Sequence, residues 1–153
     1  MVWEKPVCRP LTVSDAGAVA YLEQRCFSLP WSRKQIERAF MQEAFWALGL
    51  LQEKVLFAYI SVYHVVDEME ILNLAVLPER RRLGNGRLLL TRALQAGQKI
   101  GMHSVRLEVR SGNHAAISLY TSSGFRTVGV RRGYYTDTGE DALLLALLFT
   151  GEN

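Results

Sequence analysis

The chain has 153 residues, 49% hydrophobic and 22% charged, which excludes a disordered polymer and fits one folded domain, 1–153, with a core of its own. Its net charge of +3 argues against a broad nucleic-acid surface; two cysteines, Cys8 and Cys26, are too few for a disulfide framework and have no zinc spacing. A reduced, cytoplasmic setting is expected: residues 1–25 lack the apolar core of a signal peptide, and the longest apolar run, 142–149, falls far short of the ~20 residues a membrane helix needs.

In chain order, residues 9–13 predict a short first strand, and Ser14 or Asp15 then caps a helix carrying Val19, Leu22 and Phe27. Pro30 interrupts, and Ser32 caps a second helix holding Ile36 and Phe40. Strands are expected over 45–51 and 55–65, around the polar turn Gln52-Glu53-Lys54. Residues 69–77 form a fourth strand, apolar on both faces and therefore central. A long helix covers 84–100. Residues 104–110 alternate, with Val105, Leu107 and Val109 on one face and Arg106, Glu108 and Arg110 on the other. A short helix over 113–122 closes at Gly124, and strands over 125–131 and 142–149 follow, the last buried on both faces. The class is α/β, a mixed central sheet of about six to seven strands flanked by helices.

Chemistry concentrates in ILNLAVLPERRRLGNGRLLLTR, residues 71–92. An apolar strand ends at Pro78, an arginine-rich turn follows, and Gly84 and Gly86 open a helix. The first N–H groups of a helix have no intrahelical partner, and its dipole adds about half a positive charge there. Glycine lets an anion approach the backbone, so the turn suits a phosphate-bearing ligand. Arg80, Arg81, Arg82, Arg87 and Arg92 crowd the same segment. No Lys-Ser/Thr follows the glycines, and no third glycine completes a dinucleotide fingerprint. A solvated basic helix start is the plainer alternative.

Arg81-Arg82-Leu83-Gly84-Asn85-Gly86 resembles the pyrophosphate motif of the Gcn5-related N-acetyltransferases (GNAT), which runs glutamine or arginine, two free positions, glycine, one free position, then glycine or alanine. Leu107-Glu108-Val109-Arg110, Asn113-His114-Ala115-Ala116-Ile117, Leu119-Tyr120 and Ser123-Gly124-Phe125 are similar to one branch of that family, the RimI-type ribosomal-protein-alanine acetyltransferases. So are Pro30-Trp31-Ser32, Arg131-Arg132-Gly133-Tyr134-Tyr135 and Glu140-Asp141-Ala142. The likeness is densest over 73–147 and looser before Trp31. Leu83 and Asn85 depart from the branch at variable positions of the motif.

The resemblance implies acetyl transfer from acetyl-CoA to an amine, with no metal. Arg81, Arg82, Leu83, Gly84, Asn85, Gly86 and Arg87 would hold the pyrophosphate, and the backbone of Leu74, Ala75 and Val76 would pair with the pantetheine. An N–H near Val76 would polarise the thioester carbonyl. Glu108 becomes the candidate general base and Tyr120 the candidate acid toward the CoA sulfur. Without the resemblance, Glu108 reads as a surface glutamate and Tyr120 as core packing. Arg106 and Arg110, if close, would keep Glu108 ionised. Asn113 caps its helix, reaches the cofactor, or does both. Trp31, Tyr134 and Tyr135 are candidates for an acceptor groove, or ordinary packing. Glu140 and Asp141 would attract a basic peptide or serve as turn residues. The implied acceptor is the N-terminal alanine of the eighteenth small-subunit ribosomal protein, the enzyme a cytoplasmic monomer with no direct nucleic-acid or membrane contact. A small amine or a lysine side chain is the alternative acceptor, and a non-catalytic acetyl-CoA sensor the alternative role. At neutral pH an α-amine (pKa ~8) is free roughly a hundredfold more often than a lysine (~10.4), so a modest carboxylate base suffices for it.

Overall fold

The computed structural model describes residues 5–150. Strands β1 (Val7–Pro10), β2 (Phe45–Gln52), β3 (Val55–Val65), β4 (Glu68–Val76), β5 (Ser104–Arg110), β6 (Arg126–Arg131) and β7 (Ala142–Leu148) form one sheet in the order β1-β2-β3-β4-β5-β7-β6. Neighbours are antiparallel except β4 and β5. Parallel neighbours need a crossover, and helix α3 (Asn85–Lys99) lies between them in the chain. Helices α1 (Ala16–Cys26), α2 (Arg33–Phe40) and α4 (His114–Ser122) complete the mixed α/β fold. Among the described residues, no helix is long and apolar enough to cross a membrane.

Local signals act as read. Glu53 and Lys54 both take positive φ (51° and 68°), as a two-residue hairpin turn requires, and set Gln52 opposite Val55. Ser32 Oγ accepts from the Gln35 N–H (3.2 Å), and the Gln35 side chain accepts from the Ser32 N–H (2.8 Å), so α2 starts on a capping box.

Different helices cover the two faces of the sheet. Tyr59, on β3, and Asn73, on β4, reach Glu23 of α1. Met69 lies on the opposite face beneath α3, so close that a Cβ on Gly97 would sit 2.1 Å from its Sδ. Leu22, Ile36, Leu50, Ile60, Leu89 and Leu90 are among the fully buried side chains between these layers.

Two expectations need correction. The first strand is Val7–Pro10, not 9–13, because Val13–Asp15 is a 3-10 turn whose Asp15 carboxylate accepts from the Thr12 N–H (2.8 Å) and pairs with Arg9. The last strand is not buried on both faces. Ala142 and Leu145 are buried, but Leu143, Leu144 and Leu147 are half-buried and Leu148 is 67% exposed. β7 lies one place from the sheet edge, and the layers that cover β3 and β4 leave much of it open.

The central pair opens the site. β4 pairs with β5 only from Glu68 opposite Ser104 to Ile71 opposite Leu107. On the other side of β4, the register passes from Ile71–Val62 straight to Asn73–Ser61, so Leu72 is a bulge. A bulge bends its strand and increases local twist. Beyond it the two strands part.

Candidate active site

The gap between β4 and β5 is a cleft of about 870 Å³. Residues 71–76 form one side and 107–110 another; the start of α3, α4, the α1–α2 loop and Tyr135 complete it.

One end is the basic glycine turn. Gly84 takes φ +83° and Arg82 φ +62°, folding the chain sharply into α3. Asn85 Nδ2 donates to the Arg80 carbonyl (2.9 Å) and closes the turn. The first N–H groups of α3 therefore open beside Arg81, Arg82 and Arg87, all lining the cleft with Gly84, Asn85 and Gly86. Arg87 donates to Ser122 Oγ (2.8 Å) on α4. Arg80 also touches the cleft but is fastened from behind, stacked 4.6 Å over the Phe57 ring and bonded to Gln52. Arg92 does not line the cleft, and Leu83 projects away, 69% exposed.

Leu74, Ala75 and Val76 line the cleft where β4 has lost β5 as a neighbour. The Val76 carbonyl accepts from Arg81 Nε (2.9 Å) and Cys26 Sγ (3.4 Å), so it faces the cleft rather than β3. N–H and C=O of one residue leave a strand on the same side, which directs the Val76 N–H there too. A free strand edge, a concentrated positive charge and a turn with room at glycine fit an extended ligand with a diphosphate at one end.

Glu108 and Tyr120 both line this cleft. Glu108 is the first residue of β5 beyond the pairing with β4. Its nearest cation corrects the sequence reading: Arg131 Nε of β6 lies 3.2 Å from its Oε1, whereas Arg106 pairs with Glu68 and Glu70, and Arg110 with Asp137. Arg106 is held by Glu68 and Glu70 of the neighbouring β4, and Arg110 by Asp137 of the β6–β7 loop, which leaves Arg131 as the cation paired with Glu108. Tyr120 is 6% exposed, packed edge-on against Phe125 with centroids 5.5 Å apart. Burial pushes its hydroxyl well above the ordinary tyrosine range, so it stays protonated. Asn113 also lines the cleft while its Oδ1 accepts from the Ala116 N–H (3.2 Å), capping α4.

Of the three aromatic candidates, Trp31 and Tyr135 line the cleft. Tyr134 is 48% exposed and lies outside it, its ring edge-on to Tyr135 at 5.1 Å. Glu140 and Asp141 are turn residues: they accept from the N–H groups of Gly112 (3.0 Å) and Gly133 (2.9 Å).

Glu23 was missed. It is 1% exposed at the cleft wall and accepts from the Trp31 N–H (2.9 Å), the Tyr59 hydroxyl (2.5 Å) and Asn73 Nδ2 (3.1 Å). This knot ties the α1–α2 loop to β3 and β4. Burial raises the pKa of its carboxyl, against the opposing pull of the three donors. The folded chain thus holds this proton more tightly than the unfolded one. Its stabilisation is complete below pH 4.5, the ordinary glutamate value, and is lost as pH rises through the higher folded value. Glu23→Gln should flatten that part of the stability-versus-pH curve, and Glu23→Ala should cost about 2–4 kcal/mol by orphaning the donors. Thermal denaturation from about pH 4 to pH 8 checks both; a wild-type-minus-Gln difference independent of pH would refute the linkage.

The model of the acetyltransferase (GNAT) family matches residues 17–125. The [ribosomal protein bS18]-alanine N-acetyltransferase of Escherichia coli K12 is 38% identical over 139 residues, covering 90% of this chain and 93% of that protein. The crystal structure of the E. coli ribosomal-protein-S18-alanine N-acetyltransferase superposes with a TM-score of 0.90 at 37% identity, covering 97% and 98% of the two chains. Ard1 from Thermoplasma volcanium gives a TM-score of 0.85 at 25% identity, covering 95% and 99%.

Proposed function

Because this chain belongs to the acetyltransferase (GNAT) family and is an acetyl-CoA-dependent N-acetyltransferase, we propose that its acceptor is the α-amine of an N-terminal alanine on a ribosomal protein, the eighteenth of the small subunit. The observation that carries this reading is the end-to-end likeness to the E. coli enzyme, which spans the glycine turn as well as the α1–α2 and β6–β7 loops, whose Trp31 and Tyr135 wall the acceptor side of the cleft in this reading.

Acetyl-CoA supplies an acetyl group activated as a thioester. In the proposed arrangement, the N–H groups at the start of α3, with Arg81, Arg82 and Arg87, hold the diphosphate. The free edge of β4 at Leu74–Ala75–Val76 lays the pantetheine along the cleft. The Val76 N–H stabilises the negative charge that builds on the carbonyl oxygen as the amine attacks.

Glu108 takes the proton from the incoming ammonium. Since an α-amine titrates near ~8, the base has little work to do at neutral pH, which favours a chain terminus over a lysine. The departing sulfur meets the Tyr120 hydroxyl, held protonated by burial. A thiol ordinarily titrates near ~8.5, below a buried tyrosine, so hydrogen bonding to the leaving thiolate is the larger part of this contribution and complete proton transfer the smaller.

Turnover on two matched peptides tests the acceptor. One carries the free N-terminus of the ribosomal protein; the other has that terminus blocked and an internal lysine free. Acetylation of the free terminus alone is expected. Turnover on the blocked peptide or on polyamines, with none on the free terminus, would keep the enzyme class and overturn the acceptor.

A further inference from the structure

One side-chain network beside the cleft neither holds the cofactor nor moves a proton in this scheme. Asp137, in the β6–β7 loop, accepts from Arg110 Nη1 (2.8 Å) and Nη2 (2.9 Å) and from Ser28 Oγ (2.6 Å). Ser28 belongs to the α1–α2 loop, and Arg110 is the last residue of β5. The Arg110 guanidinium also lies 4.0 Å from the centroid of the Tyr135 ring and donates to Thr138 Oγ1 (3.3 Å). Glu140 closes the knot, 3.6 Å from Arg110 and bonded to the Gly112 N–H. Three segments distant in sequence are thus fastened at one point. Ser28, Arg110 and Tyr135 all line the cleft.

We propose that Ser28, Asp137 and Arg110 form a clasp that determines acceptor specificity, joining the two acceptor-side loops so that only an extended chain end passes between them to the reacting centre. The proposal rests on the reading of the acceptor as a protein N-terminus. A bidentate arginine–carboxylate pair fixes distance and plane together, which one point charge cannot do. The Tyr135 ring is set by the same guanidinium, so the clasp orients an aromatic wall as well as closing a gap. Asp137 is held down to about 2, first by Arg110 and then by Ser28, so its carboxylate stays ionised at neutral pH. Both partners retain solvent contact, with side chains 25% and 18% exposed, so the pair adds modestly to stability and its main consequence is geometric. These are positioning residues: they act through the loops and Tyr135, not on the acetyl group.

The test compares Asp137→Asn, Ser28→Ala and Arg110→Lys with wild type on the two matched peptides, recording kcat and KM for each peptide and for acetyl-CoA. Asp137→Asn should raise the KM of the free-terminus peptide about tenfold and increase relative turnover of the blocked lysine peptide, with the KM of acetyl-CoA unchanged. Ser28→Ala should shift the same quantities less, and Arg110→Lys, which keeps the charge but not the fork, should fall between. The thermal shift given by acetyl-CoA reports whether each variant is folded. A peptide KM and peptide selectivity like wild type in folded Asp137→Asn would overturn the clasp alone. An equal rise in the KM of acetyl-CoA would reduce it to a structural role and overturn it as well. If wild type itself prefers the blocked peptide, the acceptor reading falls, and the clasp with it.

Discussion

Glu108→Gln should lower kcat/KM for an alanine-starting peptide by about 10²–10⁴, the range for losing a positioned general base. The amide keeps the size of the carboxylate and part of its contact with Arg131, an ion pair whose side chains are 26% and 57% exposed. The melting temperature should therefore hardly move. The pH profile separates catalysis from packing. Without Glu108 the residual reaction depends on amine already deprotonated in solution, so its rate should climb with pH until the α-amine titrates near ~8. Combining Glu108→Gln with Tyr120→Phe should remove detectable acetylation. Wild-type activity in that double variant would sink both assignments.

Much of this site was legible because its signals are local. The strict alternation over Arg106–Arg110 places Glu108 on the polar face of β5, and the structure keeps Val105, Leu107 and Val109 buried opposite. The arginine-glycine turn announced a basic helix start, and its left-handed Gly84 is what such a turn demands. What the chain hides are pairings between distant segments. Asp137 meets Ser28 across 109 positions, and nothing near either residue signals the other. Glu108 finds Arg131 on β6 rather than its strand neighbours, because those are taken by acids on β4 and in the β6–β7 loop.

Glu23 is a different case, since a local signal existed. Ala16, Val19 and Leu22 mark the buried stripe of α1, and Glu23 falls on it, four residues after Val19. A carboxylate on an apolar stripe needs donors from elsewhere, and Tyr59 and Asn73 supply them. The leucine run of β7 erred the other way. Leucines show that a strand can be buried, but whether a layer lies over it depends on its place in the sheet.

Gly86→Val should raise the dissociation constant of CoA about a hundredfold in a chain that still folds cooperatively without ligand. The two glycines of the turn serve different ends, which makes the result diagnostic. Gly84 has φ +83° and open space around its missing Cβ, so it is there for backbone conformation. A side chain at Gly84 would strain the turn by about 1 kcal/mol without filling anything. Gly86 has no left-handed φ; a Cβ there would meet Leu119 Cδ2 at 3.4 Å and Val76 Cγ2 at 3.9 Å, ordinary contact distances. Alanine at 86 is therefore accommodated, and helix propensity favours it over glycine. Valine is also an acceptable helix residue, but its branches extend between Val76 and Leu119, both cleft-lining, where the proposed ligand must run. Thermal denaturation without ligand and calorimetric titration with CoA read the two effects apart. Stable protein with CoA affinity lost places the diphosphate and pantetheine against Gly86. Stable protein that binds CoA within about threefold of wild type would move the ligand off this turn, and the roles of Arg81, Arg82 and Arg87 with it.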